Sequence, residues 1–525
     1  MGTISLEDRL LDRFHRVEKR TWVAVAAALL VGLLTHIAAM TGILINSDNG
    51  YPVLGYQWLV GSGRWMQGVL GELRGHVGMG TVTAPLAILF IALSAGGVVS
   101  ILDIRSGVLS GLAGGLLATF PAIVCTASYA IHVDMYFFAL LLAVAGVYCV
   151  KRWRYGWIPG TVLMAMSMGT YQAYISMAAG LLVLLCLRDT LRGTASPKKI
   201  LLKGLGFIGV LALSVALYYG MVRISVAATG TALSDYQGIN NMAVLDPAAI
   251  LHAVTGSYWK LGKFFLLDRY GVTNGTFACW LYRLTLALSG LGYVLLAART
   301  GLFKKPGLLA TSLLCLVLLP LGVSFVAVLW QNPEIGWLQS YAYLLIFLLP
   351  ILFTDMLCHP KETNVDVLAD RKRLWPKTVM SLGTVAIALL LTFNWYATST
   401  QCYSKMRLGY EAATAECLMI ATELTALPGF TEETPIALLG SAALRDYDSQ
   451  FAYLENFDGV AGKSMIGDSN MLKRLLTNYY QVYFTYADGD MLAKAAGNPL
   501  CETMPCWPDN GSIQMVDGVA VVKLS

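Results

Sequence analysis

Residues 22–65 read WVAVAAALLVGLLTHIAAMTGILINSDNGYPVLGYQWLVGSGRW. Positions 22–44 form an apolar run long enough to cross the roughly 30 Å of hydrocarbon in a bilayer. No small-x-small cleavage site precedes Asn46, so the run is expected to remain as a helix rather than be removed as a signal peptide. Asp48 then stands at the far mouth of this first span, and the segment that follows is amphipathic and carries Arg64. A carboxylate at that place, in a chain otherwise suited to lipid, points to chemistry at the outer membrane surface on a lipid-borne substrate.

The rest of the composition agrees. Of 525 residues 56% are hydrophobic and 13% charged, with a mean hydropathy of +0.61, whereas soluble domains carry about 25% charged residues. Apolar runs near 22–44, 81–102, 107–125, 131–150, 157–169, 172–188, 203–224, 278–298, 307–330, 341–357 and 379–398 predict about eleven transmembrane helices, the fifth of them short. The connections 1–20, 103–106, 151–156, 188–203, 299–306 and 359–378 hold 22 Lys and Arg residues, and the opposite connections hold five: Arg64, Arg74, Lys260, Lys263 and Arg269. That asymmetry puts the N-terminus in the cytoplasm. The net charge of +5 restates these loops and gives no reason to expect nucleic acid.

Three divisions follow: a cytoplasmic amphipathic N-terminus (1–21), a transmembrane unit (22–398) and an extracytoplasmic C-terminal domain (399–525). The last is the soluble-looking part. TPIALLG and VDGVAVVKLS read as strands and YEAATAECLMIATELTAL as a helix, so a small α/β or α+β domain is expected. Its four cysteines can pair in an oxidising compartment, Cys402 with Cys417 and Cys501 with Cys506 being the local option.

On the outer side, segment 45–80 mixes Tyr51, Tyr56, Trp58 and Trp65 with Arg64, a pattern suited to a helix lying among headgroups. SYAIHVDMYFF leaves Asp134 inside the start of the fourth span, where an ionisable residue is expensive and usually faces a polar cavity or a partner. Tyr171 and Gln172 sit where the short fifth span turns into the sixth, a way of leaving polar groups along a cavity. Lys260 and Arg269 place cations near the surface for a lipid phosphate. Each has a plainer explanation: NSDNG is an ordinary Asx turn, Asp134 can simply pair with an arginine, and interfacial Lys, Arg and Trp anchor membrane proteins generally. Arg283 is either a snorkelling residue or a further phosphate contact, and His132 is set aside as packing.

With these residues in view, the chain resembles the bacterial serotype-converting glucosyltransferases of O-antigen and wall-glycan modification, within the GT-C superfamily. The resemblance rests on SDN (47–49), SGRW (62–65), MGTYQAYIS (168–176), YSKMRLGYEAATAECLMIATELTALPGF (403–430), PIALLG (435–440) and the closing MPCWPDNGSIQMVDGVAVVKLS. It implies a GT-C fold and an inverting transferase in the bacterial cytoplasmic membrane. The donor would be a polyprenyl-phosphate hexose, glucose by the resemblance, and the acceptor a surface polysaccharide. Asp48 matches the loop-one acid and is expected to act as general base. Asp134 matches a second acid near the outer start of the fourth span. Arg64, Lys260 and Arg269 are expected at the donor phosphate, with Tyr171 and Gln172 orienting donor or acceptor. Some superfamily members have two adjacent acids in loop one, but Asn49 follows Asp48 here, and neither metal nor cofactor is expected. The competing readings are a flippase for a lipid-linked sugar, a GT-C transferase for another sugar such as mannose, and a scaffold whose spans only anchor the tail. A flippase predicts mid-bilayer ionisable groups and inverted repeats, which the sequence does not display.

Overall fold

The structure is a computed structural model. It describes residues 17–42, 56–75, 80–234, 246–267, 276–359, 374–441 and 469–525, together with Leu454 and Phe457. The main helices are α1 (Lys19–Thr41), α2 (Trp65–Arg74), α3 (Gly80–Leu102), α4 (Gly107–Thr119), α5 (Val133–Arg152), α6 (Trp157–Thr170), α7 (Ile175–Leu191), α8 (Pro197–Thr229), α9 (Pro247–Leu266), α10 (Thr276–Arg299), α11 (Pro306–Val323), α12 (Leu349–Cys358) and α13 (Leu374–Ala426). Among the described residues nine helices are long and apolar enough to cross a membrane, and the chain is a polytopic membrane protein. Two of the eleven expected spans are shorter. α4 and α6 have 13 and 14 residues, about 20 Å at 1.5 Å per residue. α4 stops because Phe120 precedes Pro121 and takes an extended ψ of 131°, as a residue before proline prefers. A short helix, Ala122–Ala127, then continues the run.

Helix ends gather on two faces. On one, Asp103 accepts from Arg20 at 3.0 Å and Arg192 at 2.7 Å, Lys151 donates to the Ser100 carbonyl, and Arg188 donates to the Ile101 carbonyl. Asp355 accepts there from the backbone N–H groups of Arg105 and Ser106. These are the lysine- and arginine-rich connections of the sequence, now in mutual contact. The opposite face holds Arg64, the start of α5 and the α6–α7 junction. Between the faces, α1 packs on α3 and α4. A Cβ at Gly114 of α4 would meet the Ala24 carbonyl oxygen of α1 at 2.4 Å, the close backbone approach that small residues permit where lipid supplies no hydrophobic drive between helices.

Asp103 sits in the left-handed region, φ 58°, which an Asp or Asn tolerates. Burial pushes its carboxyl up, but the hydrogen bonds and charges of Arg192 and Arg20 outweigh burial and hold it at about 2, below its ordinary 3.8. A depressed carboxylate contributes stability that is complete above the ordinary value and is lost as pH falls towards the folded one. In detergent, the melting temperature of wild type is expected to exceed that of Asp103→Asn by a constant margin down to about pH 4. Between there and about pH 2 the margin is expected to close. A margin unchanged by acid would show that the carboxylate contributes through shape rather than charge.

The C-terminal part forms a three-stranded sheet in the order β1–β3–β2, with β1 (Ile436–Leu439) parallel to β3 (Val519–Lys523) and β2 (Ile513–Val516) antiparallel to it. Asp517 and Gly518, both at positive φ, close the β2–β3 hairpin as a two-residue turn of the kind that favours Asp-Gly. Alternation along the strands divides two small cores. Leu438, Ala520 and Val522 pack towards Cys417, Ile420 and Leu424 of α13, while Ala437 and Val521 pack towards Ala495, Cys501 and Met504. Strands are therefore present in both runs that read as strands, and the local cysteine pairing that the sequence left open is not formed. All four tail cysteines are free. α13 is one helix of 53 residues, so Cys402 and Cys417 lie about 22 Å apart along it, far beyond the roughly 7 Å that a disulfide spans. Cys402 belongs to the transmembrane core and Cys417 to the sheet's core. Cys501 is buried and Cys506 exposed, without a bond between them.

Candidate active site

The site begins at the turn into α2. Gly63, at φ 74°, takes a left-handed conformation that a side chain would resist, and the turn sends Arg64 inward, where only 7% of it is exposed. Arg64 Nη1 donates to the Tyr136 hydroxyl at 2.9 Å, and the guanidinium carbon lies 5.7 and 5.3 Å from the ring centres of Tyr136 and Tyr171. Those two rings stack at 4.2 Å, and His132 stacks on Tyr136 at 5.6 Å. Tyr171 is presented by the break between α6 and α7. Its backbone is extended (φ −155°, ψ 113°), and a single 3-10 turn, Gln172–Tyr174, follows before α7 begins.

In the first turn of α2, Gln67 is fully buried, and its amide Nε2 lies 2.6 Å from His132 Nδ1. An amide N–H can only donate, so Nδ1 accepts and the neutral imidazole carries its proton on Nε2. Among the described residues that N–H has no partner, and neither have Gln67 Oε1, the Tyr171 hydroxyl and the Trp65 indole N–H, all on buried side chains. Trp65 is held against the α6–α7 junction, since a Cβ at Gly169 would fall 2.4 Å from its indole. Burial pushes the Tyr171 phenol well above its usual value, so it serves as a neutral hydroxyl. Buried polar groups without partners are rare, and each calls for water or a ligand. Four together, mostly donors and beside a guanidinium, suit a ligand rich in hydroxyl and phosphate oxygens.

Asp134, 4% exposed, accepts from Arg74 Nη1 at 2.6 Å. Gln172 uses both amide N–H groups as struts, donating to the Ser62 carbonyl and the Tyr218 hydroxyl at 3.0 Å each. Lys260 stands elsewhere. It donates to Glu334 at 3.0 Å and lines a separate cavity of about 140 Å³ with Phe264, Trp337, Ser340 and Tyr343. Trp337 stacks at 4.8 Å on Phe457 of the C-terminal part. Rings of Phe120, Tyr341 and Tyr174 lead from Trp337 to Tyr171. Arg283 donates to the Leu266 carbonyl and lies 5.1 Å from the Trp280 ring. Asp48 and Arg269 lie outside the described residues. Arg64, Tyr171 and Gln172 thus share one neighbourhood, with Asp134 on the far side of the same helix turn and Lys260 apart. Trp65, Gln67, His132 and Tyr136 complete the neighbourhood; the sequence marks Trp65 as an interfacial aromatic that could stack on sugar or prenyl chain and His132 as packing, and gives Gln67 and Tyr136 no role. The only signal they carried was polarity or aromaticity near predicted span ends.

The comparisons with curated proteins and with solved structures found no match. The model of the glucosyl transferase GtrII family matches residues 37–388. That range contains Arg64, Gln67, His132, Asp134, Tyr171 and Lys260 and ends before the sheet. Matched over more than half its length, the chain belongs to the glucosyl transferase GtrII family.

Proposed function

We propose that this membrane glucosyltransferase has the GT-C fold and moves glucose, with inversion, from a polyprenyl-phosphate donor to a surface glycan at the outer face of the cytoplasmic membrane. The observation that carries the proposal is the buried cluster around Arg64 on the face opposite the basic connections, in which polar atoms of Trp65, Gln67, His132 and Tyr171 lack partners among the described residues. A sugar hydroxyl ionises far above neutral pH and is a poor nucleophile, so a carboxylate within hydrogen-bond reach accelerates attack by taking its proton. Asp48 fills that role. The acceptor oxygen bonds to the anomeric carbon as the carbon–oxygen bond to the phosphate breaks, the proton passes to Asp48, and the electron pair leaves with the lipid phosphate. Arg64 offsets the charge that gathers there, while donors such as His132 Nε2 and the Tyr171 hydroxyl hold the sugar. Gln172 acts at one remove by fixing Ser62 and Tyr218, and Asp134 by fixing Arg74. Lys260 and Arg269 serve the phosphate or the approaching acceptor. Residues 399–525 form an extracytoplasmic domain that meets the catalytic unit at Trp337 through Phe457.

One displacement turns a β-linked donor into an α-linked product. The purified protein in detergent, given synthetic polyprenyl-phosphate β-glucose and a surface-glycan acceptor, is expected to form an α-glucoside, read by NMR of the anomeric proton. A β-glucoside would overturn the single displacement. Transfer from the mannose donor but not the glucose donor would overturn the sugar, and transfer from neither would overturn the function.

A further inference from the structure

Behind the polar cluster, a groove of about 220 Å³ runs between α2, α3 and α5, walled by Leu70, Leu73, Leu86, Phe90 and Phe138. Arg74 and Asp134 are the two charged residues in its lining. Apolar side chains stand exposed around it: Leu73 is 80% exposed, Val82 50% and Val69 42%. In a membrane protein such a surface faces lipid.

The first turns of α5 separate this groove from the cluster. His132 and Tyr136, four residues apart and so on one side of the helix, stack towards Tyr171. Asp134 and Phe138, also four apart, look into the groove. α2 bridges the two compartments, carrying Gln67 in its first turn and Arg74 at its end. Arg74 is fixed by Asp134, by the Ile131 carbonyl at 2.9 Å and by the Gly75 carbonyl. Among the described residues those bonds use three of its five N–H groups, which leaves two to meet an anion. The order along the molecule is therefore an apolar lane open to lipid, a held guanidinium, and a buried cluster short of hydrogen-bond partners. A lipid-phosphate sugar has the same order of chain, phosphate and hydroxyl-bearing ring. An ordinary phospholipid in the lane would leave the cluster without partners.

We propose that this groove seats the isoprenoid chain of the donor, with Arg74 at its phosphate on the groove side, Arg64 facing the same phosphate from the cluster, and the sugar turned over the first turn of α5 towards His132 and Gln67. The assignment rests on the function proposed above. It is tested with glucose donors of long and short isoprenoid chain, comparing wild type with Leu86→Trp, which fills the groove, and with Leu73→Trp, which adds bulk at an exposed wall position where folding is undisturbed. The quantity read is the ratio of kcat/KM for the long donor to that for the short one. Partition of the donors into micelles is the same for all three proteins and cancels between them. Filling an apolar lane by more than a methylene's volume is expected to cut the ratio by about tenfold or more. Ratios equal to wild type in both variants, with transfer intact, would sink the groove and leave the transferase standing. Photolabelling with a diazirine-bearing polyprenyl phosphate needs no turnover, and so tests the groove even if wild type transfers nothing. Label on α3 and α5 is expected, displaced by polyprenyl phosphate. Label confined to other helices, or displaced equally by phospholipid, would overturn the assignment.

Discussion

Asp48→Asn is expected to lower sugar transfer by about 10²- to 10⁴-fold, the usual contribution of a positioned general base, while leaving donor binding close to wild type. Asparagine keeps the size and the hydrogen-bonding oxygen of the side chain but cannot accept the acceptor's proton. The loss should therefore appear in kcat under saturating donor and acceptor, and not in the affinity for polyprenyl-phosphate glucose measured by equilibrium binding. Single-turnover kinetics separate the chemical step from product release. Full transfer by the variant would place the base elsewhere. Asp134 would then be the next acid to test, although its carboxylate already accepts from Arg74 at 2.6 Å, an ion pair that would have to open for it to take a proton.

The second large effect is expected at Arg64. Arg64→Gln removes a buried cation whose Nη1 donates to the Tyr136 hydroxyl and whose plane lies beside two tyrosine rings. Loss of a preorganised group that stabilises charge in the transition state typically lowers kcat by about 10²- to 10³-fold. Arg64→Lys separates charge from shape, because lysine keeps the positive charge but loses the planar fork and the stacking. An intermediate kcat for the lysine variant, with melting temperatures of both variants near wild type, would support a role at the leaving phosphate. Equal losses in the two variants, both tracking a lower melting temperature, would mean that Arg64 only packs the tyrosine pair.

Hydropathy alone revealed the spans, because the bilayer imposes length and apolarity on each helix separately. The break at Tyr171–Gln172 was legible for the same reason, as a span too short to finish. The strands at 436–439 and 519–523 lie in the runs TPIALLG and VDGVAVVKLS, whereas β2 at 513–516 carries no such reading in the sequence. Hidden from the sequence was everything that depends on two distant segments meeting. Arg74 and Asp134 are 60 residues apart, and Gln67 and His132 are 65 apart. No local pattern marks either pair. His132 was set aside as packing, since a lone interfacial histidine usually is, and only its unpartnered Nε2 beside Gln67 and Tyr136 changes that judgement. Gly169 reads as a small residue of a span until the Trp65 indole is found in the space its side chain would take. Local cysteine pairing is an option that spacing in sequence leaves open, and one unbroken helix closes it by holding Cys402 and Cys417 apart.

That helix also sets an angle. α13 runs from Leu374 to Ala426 without interruption, so no hinge lies between its transmembrane half and the half that carries the sheet. Each residue of an α-helix advances the direction around its axis by about 100°, and the bearing of the sheet relative to the bundle is therefore counted out in residues. One alanine inserted near position 405 would swing the sheet by about 100° about the axis of α13. Seven would restore the bearing almost fully, but would raise the sheet by about 10 Å. The sheet is clocked like a key cut on a single shaft, and insertions keep its bearing only near whole numbers of turns.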